Sequence, residues 1–313
     1  MSKKALVIGA TGLLGYGVTN KLSESGWSVR AIGIESLINS RIFRKEVEYR
    51  CGDFYNDAFL SSVLKRVDKV FFFLSSTFPS TSIDSLELEI SRTLKGLDYL
   101  LRKMREIGVQ EVIFPSSGGT IYGNVPEGKA KETDALHPTT PYGVGKKMCE
   151  DILRFYASCG ISSTILRVGN VYGTPLVRKT SQGVIDVFIQ KAEQGEEITI
   201  WGDALTSVRD YIFADDFSQA VSKIGEKDAN GVEIYNLSSG TGTTLQDIIN
   251  VINKYSAKPI TVRHIQNDVT SSIKRIVLDM EKFTKITGWQ PCYDIDAGIA
   301  KTIERKRKMK ERF

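Results

Sequence analysis

The sequence predicts an α/β chain: a doubly wound parallel sheet with a smaller α/β lobe. Three observations lead there. First, the runs "ALVIGA" (5–10), "SVRAIGI" (28–34), "KVFFFLS" (69–75), "EVIFPSS" (111–117) and "STILRVG" (163–169) are nearly continuous apolar stretches, the pattern of strands covered on both faces. Second, "LLGYGVTNKLSES" and "LELEISRTLKGLDYLLRKMREIG" between them repeat apolar residues at the helical period. Third, beyond Gly169 the texture changes: turn residues become common and the strands shorten to "EITIWG", "VEIYNLSS" and "PITVRHI", interrupted by helices such as "TTLQDIINVINKYS".

In chain order, the first strand runs into "VIGATGLLG", where Gly9, Gly12 and Gly15 separate it from the first helix. The first glycine permits the tight turn and the second a close approach of backbone to a pyrophosphate. The third lets helix and strand pack closely, with the helix amino end toward the phosphates. Gly9, Thr11, Gly12, Leu13, Leu14 and Gly15 are therefore read as binding a dinucleotide. Residues 1–168 form the dinucleotide-binding domain, to which 207–240 is expected to return through the "DYIFADDFSQAVSKI" helix and the "IYNLSS" strand. Residues 169–206 and 241–313 form the smaller, substrate-binding lobe.

The bulk numbers narrow the class. A chain of 313 residues holds one large or two modest domains with a real core. The net charge of +5 sits largely in the tail "KTIERKRKMKERF". That run reads as a solvated helix end without interleaved aromatics, so no nucleic-acid surface is expected. Cys51, Cys149, Cys159 and Cys292 form no CxxC pair, and the two histidines, His137 and His264, lie far apart; no metal site is expected. Free thiols suit a reducing compartment. With no signal peptide and no apolar run of about 18 residues, the expected location is the cytoplasm and no membrane span is expected.

The helix opening "TPYGVGKKMCEDILRFY" sets Tyr142 and Lys146 at i and i+4, stacked on one face one turn apart. An ammonium beside a phenol favours the ionised phenol, which proton transfer near neutrality needs. Upstream lies "FPSSGGTIYG" (114–123), a strand end running into a turn rich in hydroxyls.

The GxxGxxG spacing, the "SSGGTIYG" turn and the YxxxK pair, in this order, resemble the short-chain dehydrogenase/reductase superfamily. The similarity is to its extended branch, the nucleotide-sugar epimerases and dehydratases with a Rossmann domain, and it covers essentially the whole chain. It implies NAD as cofactor, with Lys146 also holding the nicotinamide ribose. NADP is left open: the acid that accepts the adenosine 2′-hydroxyl is replaced by Gly33, while Glu35, Arg41 and Arg44 follow closely. Asp53 and Phe54 match the family's adenine-contacting pair; a helix cap with a core aromatic is the plainer reading.

The resemblance also exposes departures. Where the family carries a Ser or Thr four residues before Tyr122, this chain has Gly118. In an extended segment positions 118 and 120 face the same way, so Thr120 is the expected replacement hydroxyl, with Ser117 second. Thr120 also stands where the dehydratases carry a glutamate, so water elimination is not expected. Phe72 takes the place of a usual histidine. For substrate, "LRVGNVYG" offers Asn170 to a diphosphate, "ITIWGD" offers Trp201 to stack on a base or else to fill the core, and "SVRDYIFADD" offers Arg209 as a diphosphate clamp. The usual Arg-x-x-Asp near the last strand is missing, and Arg275 is its nearest stand-in.

The expected activity is that of an NAD-dependent nucleotide-sugar 4-epimerase acting on a nucleoside-diphosphate hexose. Tyr142 is the base, Lys146 tunes it, and Thr120 or Ser117 bonds the reacting oxygen. The alternative is an NADPH-dependent 4-keto-sugar reductase. A third reading is a dinucleotide-binding regulator, which would have no need of the Tyr142–Lys146 pair. The family's habit implies a homodimer through the helices that include residues 86–107 and 142–158.

Overall fold

A computed structural model describes residues 2–33, 43–75, 86–174, 183–265 and 273–310. Glu35 and Arg41, weighed above for cofactor choice, lie outside them. Two units are present. The first comprises Met1–Ile121, Pro138–Arg167 and Ser218–Tyr235, and the second Tyr122–His137, Val168–Phe217 and Asn236–Phe313.

The first unit begins with β1 (Lys4–Ile8), α1 (Leu13–Glu24), β2 (Ser28–Gly33), β3 (Glu48–Cys51), α2 (Asp57–Leu64) and β4 (Lys69–Phe72). It continues with α3 (Leu86–Ile107), β5 (Glu111–Ser117), the single turn α4 (Gly118–Ile121), α5 (Pro141–Ala157) and β6 (Ser162–Val168). These strands and a later one, β10 (Val232–Leu237), form a seven-stranded sheet ordered β10-β6-β5-β4-β1-β2-β3. The pairs β1–β2, β1–β4, β2–β3 and β4–β5 are parallel. The sheet is the doubly wound one the apolar runs predict. Strand order reverses between β1 and β4, the place where such sheets open a crevice for ligands at the carboxyl ends of their strands.

Alternation along the strands sends side chains to two covered faces. Leu6, Ile8, Val70, Phe72, Val112 and Phe114 join one core with Leu60 of α2, Leu100 and Met104 of α3, and Leu153 of α5. On the other face Phe71 meets Trp27 edge-on at 5.8 Å. Each large apolar side chain removed from water there contributes about 1.5–3 kcal/mol. β3 is absent from the expected strands: its four residues, Glu48–Cys51, are polar or half-exposed at the sheet edge and carry no apolar run.

The second unit adds β7 (Asn170–Tyr172), α6 (Val184–Gln194), β8 (Ile198–Trp201), β9 (Val208–Phe213) and the start of α7 (Ala214–Gly225). β11 (Gly242–Thr244), α8 (Leu245–Tyr255), β12 (Val262–Ile265), α9 (Glu281–Thr287) and α10 (Ile295–Lys310) complete it. β9 pairs in parallel with β7 and antiparallel with β11, and β8 pairs in parallel with β12. Ile185 and Ile189 of α6, Ile248 and Ile252 of α8, and Ile299 and Ile303 of α10 pack with Ile198, Ile200 and Phe213 into its core.

Two expectations are corrected here. "DYIF" does not open a helix: with a strand on either side, Val208–Phe213 is β9 and the helix begins at Ala214. The basic tail is not merely a solvated helix end. Within α10, Arg305 pairs with Asp215 at 2.5 Å and Lys306 with Asp186 at 3.1 Å, so its cations neutralise carboxylates of its own unit.

Candidate active site

The glycine loop is built as the sequence reading requires. Gly9 has φ +80°, and a Cβ on it would stand 2.8 Å from the Phe73 carbonyl carbon. A Cβ on Gly15 would lie 2.2 Å from the Gly9 oxygen, and one on Gly12 3.0 Å from it. The Gly12 N–H donates to the Gly9 carbonyl at 2.9 Å, closing the turn. Helix α1 starts from Gly12 with no side-chain cap and no acidic residue in its first turn. A backbone cradle without side chains, at the positive end of a helix and at the sheet's switch point, fits a dinucleotide's pyrophosphate.

At the end of β2 the place of the usual acid is occupied. A Cβ on Gly33 would meet the Tyr49 hydroxyl at 2.8 Å and Thr11 Cγ2 and Oγ1 at 3.1 Å. Tyr49 is stacked on Phe43, and Phe43 leans on Tyr16 of α1, with centroids 5.5 and 5.9 Å apart. Arg44 is exposed and held by Glu24 and Glu46. Asp53 is exposed and accepts from the Tyr55 N–H at 2.9 Å, so it shapes the turn ahead of α2, whose cap is Asn56. Phe54 is buried against Phe72 and Tyr99.

Tyr142 and Lys146, the expected proton-transfer pair, stand at the start of α5. Pro141 takes the first helical position and Thr140 caps it, its hydroxyl accepting from the Gly143 N–H at 3.1 Å. Tyr142 is half-buried, whereas Lys146 is only 4% exposed. The Lys146 ammonium donates to the Pro115 carbonyl at 2.9 Å and lies 4.7 Å from the centroid of Phe114 and 5.6 Å from that of Tyr142. Sequence reasoning had no signal for the Pro115 carbonyl, because a main-chain acceptor carries no residue identity.

The turn between β5 and α5 departs from expectation. The strand stops at Ser117 and residues 118–121 form a helical turn, so alternation does not carry from 118 to 120. Glycines at 118 and 119 permit that change of course. Thr120 nevertheless remains the notable hydroxyl: its Oγ1 is buried and has no hydrogen-bond partner among the described residues. Its carbonyl lies 2.9 Å from where a Cβ on Gly143, the residue after Tyr142, would be. Ser117 is half-buried at the strand end. Tyr122 is spent in the second unit, its hydroxyl donating to Asn236 at 2.7 Å.

The second unit holds the other expected residues. Asn170 opens β7 and its amide donates to the Asp210 carbonyl at 3.1 Å. Arg209, half-buried on β9, donates to the carbonyls of Val208 (3.0 Å) and Ile273 (2.5 Å), and burial pushes its guanidinium below the ordinary value. The neighbouring Asp210 carboxylate is taken up by Ser238, Ser239, Gly240 and Leu278. Trp201 stands at the end of β8, on the unit's other sheet, and is 53% exposed, so it is not a core residue. Arg275 holds the carbonyls of Val125 and Gly128. Among the described residues no His, Cys, Asp and Glu cluster could hold a metal ion, and no helix is long and apolar enough to cross a membrane.

Residues 5–238 match the NAD dependent epimerase/dehydratase family. The chain is 32% identical to a dTDP-4-dehydro-6-deoxyglucose reductase of Escherichia coli, over 74% of this chain and 73% of that one. It is 26% identical to a UDP-glucose 4-epimerase of Mycolicibacterium smegmatis, over 96% and 97%. The crystal structure of Thermus thermophilus UDP-glucose 4-epimerase in complex with NAD superimposes with a TM-score of 0.87 at 26% identity, covering 97% of this chain and 99% of that one.

Proposed function

The chain belongs to the NAD dependent epimerase/dehydratase family, and from that membership we propose that it is an NAD-dependent nucleotide-sugar 4-epimerase acting on a nucleoside-diphosphate hexose. The observation that carries this reading is the buried Lys146 ammonium set over Tyr142, with the unpartnered Thr120 hydroxyl on the turn packed against the same helix start.

NAD is the cofactor, and Gly9, Thr11, Gly12, Leu13, Leu14 and Gly15 would cradle its pyrophosphate, with Asp53 and Phe54 at the adenine and Tyr142 and Lys146 at the nicotinamide end. When bound, it supplies a reversible acceptor for the hydride of a sugar carbinol carbon. Tyr142 removes the proton from the C4 hydroxyl as that carbon is oxidised, and returns it to the same oxygen once the carbon is reduced on its other face. Lys146 sets its positive charge beside the tyrosine oxygen, which is anionic before it takes that proton, neutral while it holds it, and anionic again once it is returned. Thr120 donates to the reacting oxygen, with Ser117 the second candidate. Asn170 and Arg209 hold the substrate diphosphate and Trp201 stacks on its base. On this reading the first unit is the dinucleotide-binding domain and the second the substrate-binding lobe. Two copies pair through α3 and α5, a pairing that would cover Phe155, now 64% exposed.

The test is mass spectrometry of the nucleotide released when freshly purified protein is denatured, followed by turnover of UDP-glucose and UDP-N-acetylglucosamine with no cofactor added. Retained NAD and inversion at C4 are expected.

One alternative has its own support. Among the described residues, β2 and its last position, Gly33 beside the Tyr49 hydroxyl, carry no carboxylate to repel a 2′-phosphate, and one relative is a 4-dehydro-sugar reductase. On that reading the protein purifies empty and oxidises NADPH when given a dTDP-4-keto-6-deoxy sugar, with Tyr142 as proton donor.

A further inference from the structure

Behind the proton-transfer pair lies a group that none of the chemistry above uses. Glu150 is fully buried one turn past Lys146 on α5. Its carboxylate accepts from the Ser116 hydroxyl at 2.7 Å and from Arg167 through two bonds, Nε to Oε1 at 3.1 Å and Nη2 to Oε2 at 2.8 Å. Arg154, one turn further along the helix, adds a longer contact at 3.6 Å. Arg167 is itself only 2% exposed. Ser116 and Arg167 stand on β5 and β6, neighbours in the sheet, so two strands grip one carboxylate of one helix.

Stability alone does not account for this arrangement. Two charges lose their hydration on burial, and an apolar pair of the same volume commonly holds a fold equally well. What a bidentate, hydrogen-bonded carboxylate adds is direction: it permits one axial and rotational setting of the helix. That setting matters here because Ser116 follows Pro115, whose carbonyl receives Lys146, and because Phe114 and Ser116 are alternate residues of one strand. The same strand segment thus fixes Lys146 by a main-chain bond and Glu150 by a side-chain bond, on successive turns of α5.

We propose that Ser116, Glu150 and Arg167 are positioning residues that lock α5 in register against β5 and β6, so that Lys146 is held over Tyr142 and on the Pro115 carbonyl. The proposal rests on the roles given above to Tyr142 and Lys146. A register error of about 1 Å at such a pair costs on the order of 100-fold in rate.

The test uses the full, NAD-loaded chain and two variants: S116A, and S116A/E150L/R167M, which removes the polar group whole and leaves no charge stranded. Melting temperature, retained NAD, kcat and KM for UDP-glucose, and crystal structures are compared with the parent. The expected result for the triple variant is a folded protein that keeps its NAD and its KM, with kcat roughly 100-fold lower and Lys146 displaced from the Pro115 carbonyl. S116A falls between it and the parent. A folded triple variant with parental kcat, and with Lys146 still on Pro115, overturns the proposal. If the triple variant fails to fold, S116A decides by the same split between kcat and KM. A parent that leaves UDP-glucose unchanged counts against the epimerase reading, or its use of this sugar; the clamp is then judged by the Lys146–Pro115 distance alone, and an unchanged distance sinks it.

Discussion

Lys146 holds its ammonium 5.6 Å from the centroid of the Tyr142 ring, one helical turn away, with its side chain almost wholly removed from water. A cation so placed does not serve as a surface ion pair, and its direct hydrogen bond is to a neutral carbonyl. Its charge is left to act on the phenol and on whatever binds beside it.

Replacing Tyr142 by phenylalanine removes the proposed proton carrier and keeps the half-buried ring. Turnover falls roughly 100- to 10,000-fold, the span of general acid–base catalysis, while NAD stays bound. Steady-state kinetics with mass spectrometry of the retained nucleotide checks both halves. Turnover close to the parent's would remove the tyrosine from the mechanism.

Thr120 separates two candidate donors. Its Oγ1 is buried without a partner among the described residues, so T120V leaves the melting temperature unchanged or raised. Its kcat drops roughly 10- to 100-fold, the worth of one hydrogen bond to a charged group. S117A has the smaller effect on kcat. The reverse ranking would transfer the role to Ser117.

At Gly33 a side chain collides with Tyr49. The variant G33D sets its Cβ 2.8 Å from the tyrosine hydroxyl, too close for both to keep their places, and disturbs the stack on Phe43, costing about 1–3 kcal/mol as overpacking does. The new carboxylate repels a 2′-phosphate, so the ratio of NADP to NAD affinity falls. Calorimetric titration with each dinucleotide measures that ratio. An unchanged ratio would mean that the adenosine ribose does not sit at the end of β2.

The capping box of α8 predicts a pH dependence. Asp247 accepts from the Thr244 hydroxyl at 2.6 Å and from its N–H at 2.9 Å, and these bonds hold its carboxyl below the ordinary 3.8. A lowered carboxyl contributes stability above its unfolded value and loses it as pH falls through the folded one. D247A is therefore less stable than the parent at neutral pH by about 1 kcal/mol, a typical cap, and the gap narrows in acid. Urea unfolding from neutral pH down to about pH 3 follows it; a gap that stays constant would rule out the carboxylate as its source.

The legible parts of the fold were those with a strong period or a backbone requirement. β1, β2, β5 and β6 lie where their apolar runs predict, and the glycine loop has the backbone approaches its spacing implies. β3 was illegible because an edge strand needs no apolar run, and β9 because "DYIF" joins directly to a helical pattern. At the site, Tyr142 and Lys146 were legible from an i, i+4 spacing. Gly118 signalled a missing hydroxyl, but alternation gave no valid route to Thr120, since the strand ends one residue earlier.

By itself the sequence determined the doubly wound sheet, the tight glycine loop and the stacked Tyr142–Lys146 pair, because periodicity, glycine spacing and helical stacking act over a few residues. Tertiary structure alone decided that Tyr49 fills the place of the acid at Gly33, that Lys146 rests on the Pro115 carbonyl, and that Glu150 is gripped from two strands. Those contacts join residues 16 to 34 positions apart or use main-chain atoms common to every residue. Only the packing of helix on sheet brings them within bonding distance.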